Sequence, residues 1–146
     1  MLKDKLTNFI ERELKNINSL KLELESCKGN SHTIRRAKGS ILHDFYNGVE
    51  RIFELITENI NGKTTLNGQW HKRLLYQMTA EIKDIRPIVI SNNLAAELDE
   101  YLSFRHLFRN IYGFELDSNR LDVLIEKFPS VISKFENEIK EFISKL

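Results

Sequence analysis

The stretch Ser91–Leu116 reads SNNLAAELDEYLSFRHLFRNIYGFEL. Its apolar residues Leu94, Leu98, Tyr101, Phe108 and Tyr112 recur at steps of four, three, seven and four, the repeat of an amphipathic helix. The pattern predicts a helix from Asn92 to about Tyr112, with Ser91 as N-cap and Gly113 as the stop. A strict alternation of four and three asks for an apolar residue at position 105. The chain has Arg105 there. An arginine in a core-facing slot is costly unless it is paired or faces a partner, so Arg105 is the most anomalous residue in the sequence.

Its neighbours carry chemistry. His106 follows directly. Arg109 lies one turn on, on nearly the same face, with Asn110 beside it. Tyr112 is two turns along, which on a continuous helix brings its hydroxyl to the Arg105 face. One reading is a phosphate-handling site, because guanidinium groups bind phosphate in a multidentate way and histidine titrates near neutral pH. The other is an ion pair between helices or subunits, with Asp or Glu as the partner of Arg105. Spacing alone leaves both open.

Working outward, four more helices are expected. The first spans Leu2 to Ser26, with Leu6, Ile10, Ile17, Leu20 and Leu24 in phase and Gly29-Asn30 as its stop. The second spans about His32 to Ile60, capped by Ser31, with a stripe of Ile34, Ile41, Phe45, Val49, Ile52, Ile56 and Ile60. Gly39 and Gly48 inside it point to close packing against a neighbour, since each costs about 1 kcal/mol against alanine. Asn61–Gly68 reads as the longest loop. The third helix runs from about Gln69 to Ile85, with Trp70, Leu74, Met78 and Ile82 in register, and stops at Arg86-Pro87. Ile88-Val89-Ile90 is a short apolar connector. The fifth runs from about Ser118 to Lys145. Leu121, Ile125, Phe128, Ile132, Phe135, Ile139 and Phe142 stay in phase across Pro129, so it is one helix, kinked or loosened at the proline. The fold class is all-α: a single domain over residues 1–146, an antiparallel bundle of about five helices.

Composition agrees. The chain has 146 residues, 41% hydrophobic and 29% charged, with only two prolines and six glycines, too few for the many tight turns of a sandwich or barrel. Cys27 stands alone, which excludes an internal disulfide and suits a reducing, cytoplasmic location. No signal peptide and no membrane span is read. Twenty-two Lys and Arg against 21 Asp and Glu leave a net charge of +1. A general nucleic-acid binder carries a basic excess, so any nucleic-acid contact belongs to a local cleft, completed by a second subunit if one is present.

At Arg105–Tyr112 the sequence resembles the HEPN superfamily, specifically the HepT-like toxins of HEPN/MNT toxin–antitoxin pairs. Their hallmark is Arg, a polar residue, three spacers, His, one spacer, Tyr. Arg105 matches the arginine, His106 the polar residue and Tyr112 the tyrosine, while Asn110 fills the histidine position. His43–Phe53, Trp70-His71, Arg86-Pro87 and Tyr112–Leu116 also look like segments of that family. The resemblance implies a HEPN-like bundle that forms a homodimer and brings two motifs into one cleft. It implies a metal-independent endoribonuclease acting on RNA, in which Arg105 and Arg109 hold phosphate and stabilise developing charge while a histidine moves protons. It also implies an MNT-type nucleotidyltransferase antitoxin that silences the toxin by adding AMP to Tyr112. Asparagine cannot exchange a proton near neutral pH. Three outcomes stay open for catalysis by Arg105, His106 and Asn110. His106 substitutes, although it points about 100° away from Arg105 on a straight helix; or the site works by positioning and charge alone; or the chain is a catalytically silent HEPN module that binds a nucleotidyltransferase partner or a nucleotide.

Other polar features read as structural. His43-Asp44 is expected on a polar edge of the bundle, Trp70 as a core anchor beside His71, and His32 as a solvated first-turn residue. The four histidines have no metal-ligand spacing, no glycine-rich phosphate loop is present, and no cofactor or metal is expected. Lys134, Lys140 and Lys145 alternate with glutamates as a solvated face.

Overall fold

The computed structural model describes residues 2–61, 70–112 and 115–146. The loop expected at Asn61–Gly68, the helix start at Gln69 and the stop at Gly113 fall wholly or largely outside them. Five α-helices occur among the described residues: α1 Leu2–Ser26, α2 His32–Ile56, α3 Trp70–Gln77, α4 Asn92–Arg109 and α5 Ser118–Ser144. No strand forms among these residues beyond a single bridge between Ile82 and Arg86.

Contacts between helices give their directions. Gly48 faces Ile17 and Arg51 pairs with Glu13, so α1 and α2 run antiparallel. Ser91 meets Glu138, Glu97 meets Lys134 and Glu100 meets Lys127, so α4 and α5 do too. Asn18 bonds Glu136, and Lys3 reaches the carbonyl of Leu146, which sets α1 against α5. The pairs Arg35–Ser118, Phe45–Phe128 and Phe53–Phe135 put α2 and α5 parallel on the diagonal. The core between them is aromatic. Phe45 meets Phe128 edge-on at 5.0 Å and Tyr101 at 5.3 Å, geometries that favour the ring quadrupoles.

Both expected serine caps form. Ser31 accepts from the Ile34 amide and Ser91 from the Leu94 amide. Both helix glycines sit at close approaches: a Cβ on Gly39 would lie 2.7 Å from Phe108 Cε1, and one on Gly48 2.9 Å from Ile17 Cγ1. α5 passes through Pro129 as one helix.

Three boundaries differ from the sequence expectation. α2 stops at Ile56 and widens into a π-turn over Thr57–Asn61. The Asn59 side-chain amide takes the Leu55 carbonyl at 2.7 Å, in competition with the backbone ladder. α3 is half the expected length. The Arg86 guanidinium caps it from afar, donating to the Gln77 and Ala80 carbonyls at 3.0 and 2.7 Å, and a tight turn with Asp84 at φ 65° brings Arg86 there. Finally, α4 ends at Arg109, not Tyr112. Asn110 is its C-cap: its amide N–H bonds the Leu107 carbonyl at 3.0 Å and its side-chain Nδ2 takes the His106 carbonyl at 2.7 Å. Tyr112 therefore lies past the helix, off the Arg105 stripe.

Candidate functional site

The site begins as a packing problem. On α2 the core stripe Leu42, Tyr46, Phe53 steps by four and then seven, and the slot between holds Glu50. On α4 the matching gap holds Arg105. Where the two helices cross, these residues meet. The Arg105 guanidinium bonds both Glu50 oxygens at 3.1 Å and Asn47 Oδ1 at 2.9 Å, and stands 4.9 Å over the Tyr46 ring. Arg105 is 2% exposed and Glu50 6%. A bidentate pair with further hydrogen bonds is the form in which buried charges are tolerated. The Tyr46 hydroxyl is buried without a hydrogen-bond partner among the described residues, and burial, then the Glu50 charge, push its pKa up.

One turn along α4, Arg109 donates Nε to His43 Nε2 at 3.1 Å. An arginine Nε always carries its proton, so Nε2 is the acceptor and the ring proton sits on Nδ1, toward the Asp44 carboxylate at 3.7 Å. Asn47 Nδ2, 3.3 Å from Nδ1, is then a neighbour rather than a donor to it. Burial, then the Arg109 charge, lower the His43 pKa. The ring is neutral.

α3 supplies the third wall. His71 Nδ1 lies 2.9 Å from Glu50 Oε2 and 3.2 Å from Arg105 Nη2. A carboxylate gripped by a guanidinium accepts only, so Nδ1 donates to Glu50. The His71 ring lies against that of Trp70, centroids 3.8 Å apart and planes tilted by 33°.

His71, Lys72, Ser103, Arg105, His106 and Arg109 line an open cleft of about 390 Å³. Among its described cations, Arg105 is balanced by Glu50, and Lys72 lies 3.6 Å from Asp99. Arg109 is bonded to a neutral ring and keeps its charge uncompensated. Of the sequence-predicted residues, Arg105, His106 and Arg109 therefore share the cleft. Asn110 and Tyr112 do not line it. Asn110 is spent on the helix cap, and Tyr112, 72% exposed, has its amide held by Glu115 at 2.8 Å.

Sequence reasoning did not bring in Glu50, Asn47, His43 and His71. The signal for Glu50 was present: it interrupts an apolar stripe as Arg105 does, with the opposite charge. His43 and His71, expected on a polar edge and beside a core anchor, belong to the site through contacts across helices. Among the described residues, no three His, Cys, Asp or Glu side chains gather as a metal-ligand set, and no helix is long and apolar enough to cross a membrane.

A family model described as HepT-like protein matches residues 37–146, which include every residue of the cleft. No curated protein and no solved structure matches the chain.

Proposed function

This chain belongs to the HepT-like protein family of the HEPN superfamily, and from that membership and the cleft chemistry we propose that it is a toxin-type endoribonuclease. It works as a homodimer, and an MNT-type nucleotidyltransferase antitoxin neutralises it by adding AMP to Tyr112. The observation that carries the reading is the uncompensated charge of Arg109 beside His106, over the buried Arg105–Glu50 pair. A phosphodiester entering the cleft meets Arg109 together with the likewise exposed His106 and Lys72. In cleavage of this kind the RNA 2′-hydroxyl attacks its own phosphate, and the cation stabilises the negative charge that accumulates on the phosphoryl oxygens. Arg105 supports the site from beneath, held in place by Glu50 and Asn47. The exposure of Tyr112 suits a residue that another enzyme must reach. Transfer of AMP from ATP to its phenolic oxygen releases pyrophosphate and adds bulk and negative charge near the cationic end of α4.

The silent-module reading keeps one observation in its favour: Asn110 is committed to capping α4 and offers no exchangeable proton near neutral pH. Induced expression separates the two. A ribonuclease toxin arrests growth without its partner, and Arg109→Ala, which leaves the Arg105–Glu50 pair intact, relieves the arrest. Growth unaffected by the wild-type protein but arrested by Asn110→His favours the silent module. For the partner, intact mass after co-expression with a nucleotidyltransferase reads AMP additions directly. The proposal expects them on the wild type and not on Tyr112→Phe; additions that persist in Tyr112→Phe contradict the assignment of the site.

A further inference from the structure

We propose that His71, oriented by Glu50, is the group that takes the proton from the attacking 2′-hydroxyl. The inference rests on the ribonuclease reading above and assigns the proton transfer that Asn110 cannot perform. Three histidines lie in or against the cleft, and their contacts rank them. His43 has its Nε2 lone pair filled by Arg109 and its Nδ1 proton turned toward Asp44, so neither nitrogen is open to substrate. His106 is exposed on the cleft wall, and Asn110 bonds its backbone carbonyl, which does nothing to orient the ring. His71 has the arrangement a base needs. Its Nδ1 proton is fixed on Glu50 at 2.9 Å, which sets the tautomer and leaves Nε2 with its lone pair. The ring is held from one side by Trp70 at 3.8 Å, yet the side chain is 36% exposed and lines the same cleft as Arg109.

Glu50 thus serves two residues at once. It balances Arg105 and, through the oxygen shared with His71, aligns the ring and stabilises the imidazolium that forms. It is a positioning residue. The charged groups facing His71 are Glu50 and Glu54 from α2, Arg105 from α4, and its neighbour Lys72, itself close to Asp99. In the step, the 2′-hydroxyl proton moves to Nε2 as the O2′–P bond forms. The P–O5′ bond breaks, the 5′-oxygen takes a proton from water, and His71 later returns its proton to solvent. The products are a 2′,3′-cyclic phosphate and a 5′-hydroxyl.

The test is single-turnover cleavage of RNA by the unmodified full chain and by His71→Ala, His71→Asn and Arg109→Ala, each checked for folding by circular dichroism. His71→Asn keeps an N–H donor for Glu50 and removes the basic nitrogen, so it guards against simple loss of structure. The expected result is a fall of about 100-fold or more in both His71 variants, with cleavage by His71→Ala partly restored by added imidazole. A merely structural histidine gives no imidazole rescue. Folded His71 variants that cleave within a few-fold of wild type overturn the role of His71 and, if Arg109→Ala is inactive, leave the ribonuclease reading standing. RNA left intact by the wild type and by Asn110→His overturns both.

Discussion

Arg105 and Glu50 bind each other with both ends of a fork, and neither reaches bulk water to any extent. Removing one strands the other as an uncompensated buried charge, so Arg105→Ala and Glu50→Ala are each expected to cost about 3–5 kcal/mol in urea unfolding. Removing both with apolar residues costs less than the sum; additive losses in that double-mutant cycle contradict the pairing. The consequence for function is practical. Loss of activity in Arg105→Ala reports folding as much as chemistry, and Arg109 is the cleaner probe. His43 adds a pH dependence. Its folded pKa is lowered below the ordinary 6.5, so the unfolded chain binds the proton more readily. Its contribution is therefore fully present above pH 6.5 and is lost as pH falls from there toward the folded value. His43→Gln should flatten that part of the stability profile, measured by thermal melts across pH 7 to 5; an unchanged profile contradicts the neutral, Arg109-bound ring. At this scale the sequence was half legible. A charge in an apolar slot announced Arg105, and the same rule applied to Glu50 names its partner. The histidines were not legible, because His43 and His71 look like surface residues of their own helices and become site residues only through Arg109 and Glu50 on others.

The elements themselves were largely written in local chemistry. Serine at 31 and 91, the apolar stripes and the phase kept across Pro129 all act within a turn or two, and the helices they define formed. The boundaries that differed are set from elsewhere or by side chains that compete with the backbone. Arg86 reaches back to end α3, Asn59 opens the end of α2, and Asn110 stops α4 before Tyr112. Asn110 therefore changes more than acid–base capacity, since it also decides where the tyrosine leaves the helix. Packing of α1 on α2 gives a separate prediction. An alanine methyl at Gly48 would press to 2.9 Å against Ile17, a buried side chain with nowhere to go. Overpacking costs about 1–3 kcal/mol and the gain in helix propensity is about 1 kcal/mol, so Gly48→Ala is expected to lower stability by up to about 2 kcal/mol. At Gly39 the obstructing atom belongs to the half-buried ring of Phe108, which can shift, so Gly39→Ala is milder. Equal losses at the two sites contradict this account of the packing.

Taken as a whole, the molecule is near neutral, with a net charge of +1, and its candidate site is a cleft lined from α3 and α4, beneath which Arg105 pairs with Glu50 of α2. Under the proposed function, RNA is held through local contacts rather than a general basic surface, and a homodimer that sets two such clefts side by side would double the phosphate contacts without changing the fold. The family match spans α2 from Ala37 through α5, so the cleft lies within the matched segment and the whole of α1 lies outside it. The central claim is that this cleft cuts RNA by internal transesterification. Its most direct test is to incubate the purified chain, free of partner and of AMP, with a defined RNA and to identify the ends produced. The account predicts 2′,3′-cyclic phosphate and 5′-hydroxyl ends that vanish with Arg109→Ala; RNA left intact, or cut identically by Arg109→Ala, would contradict it.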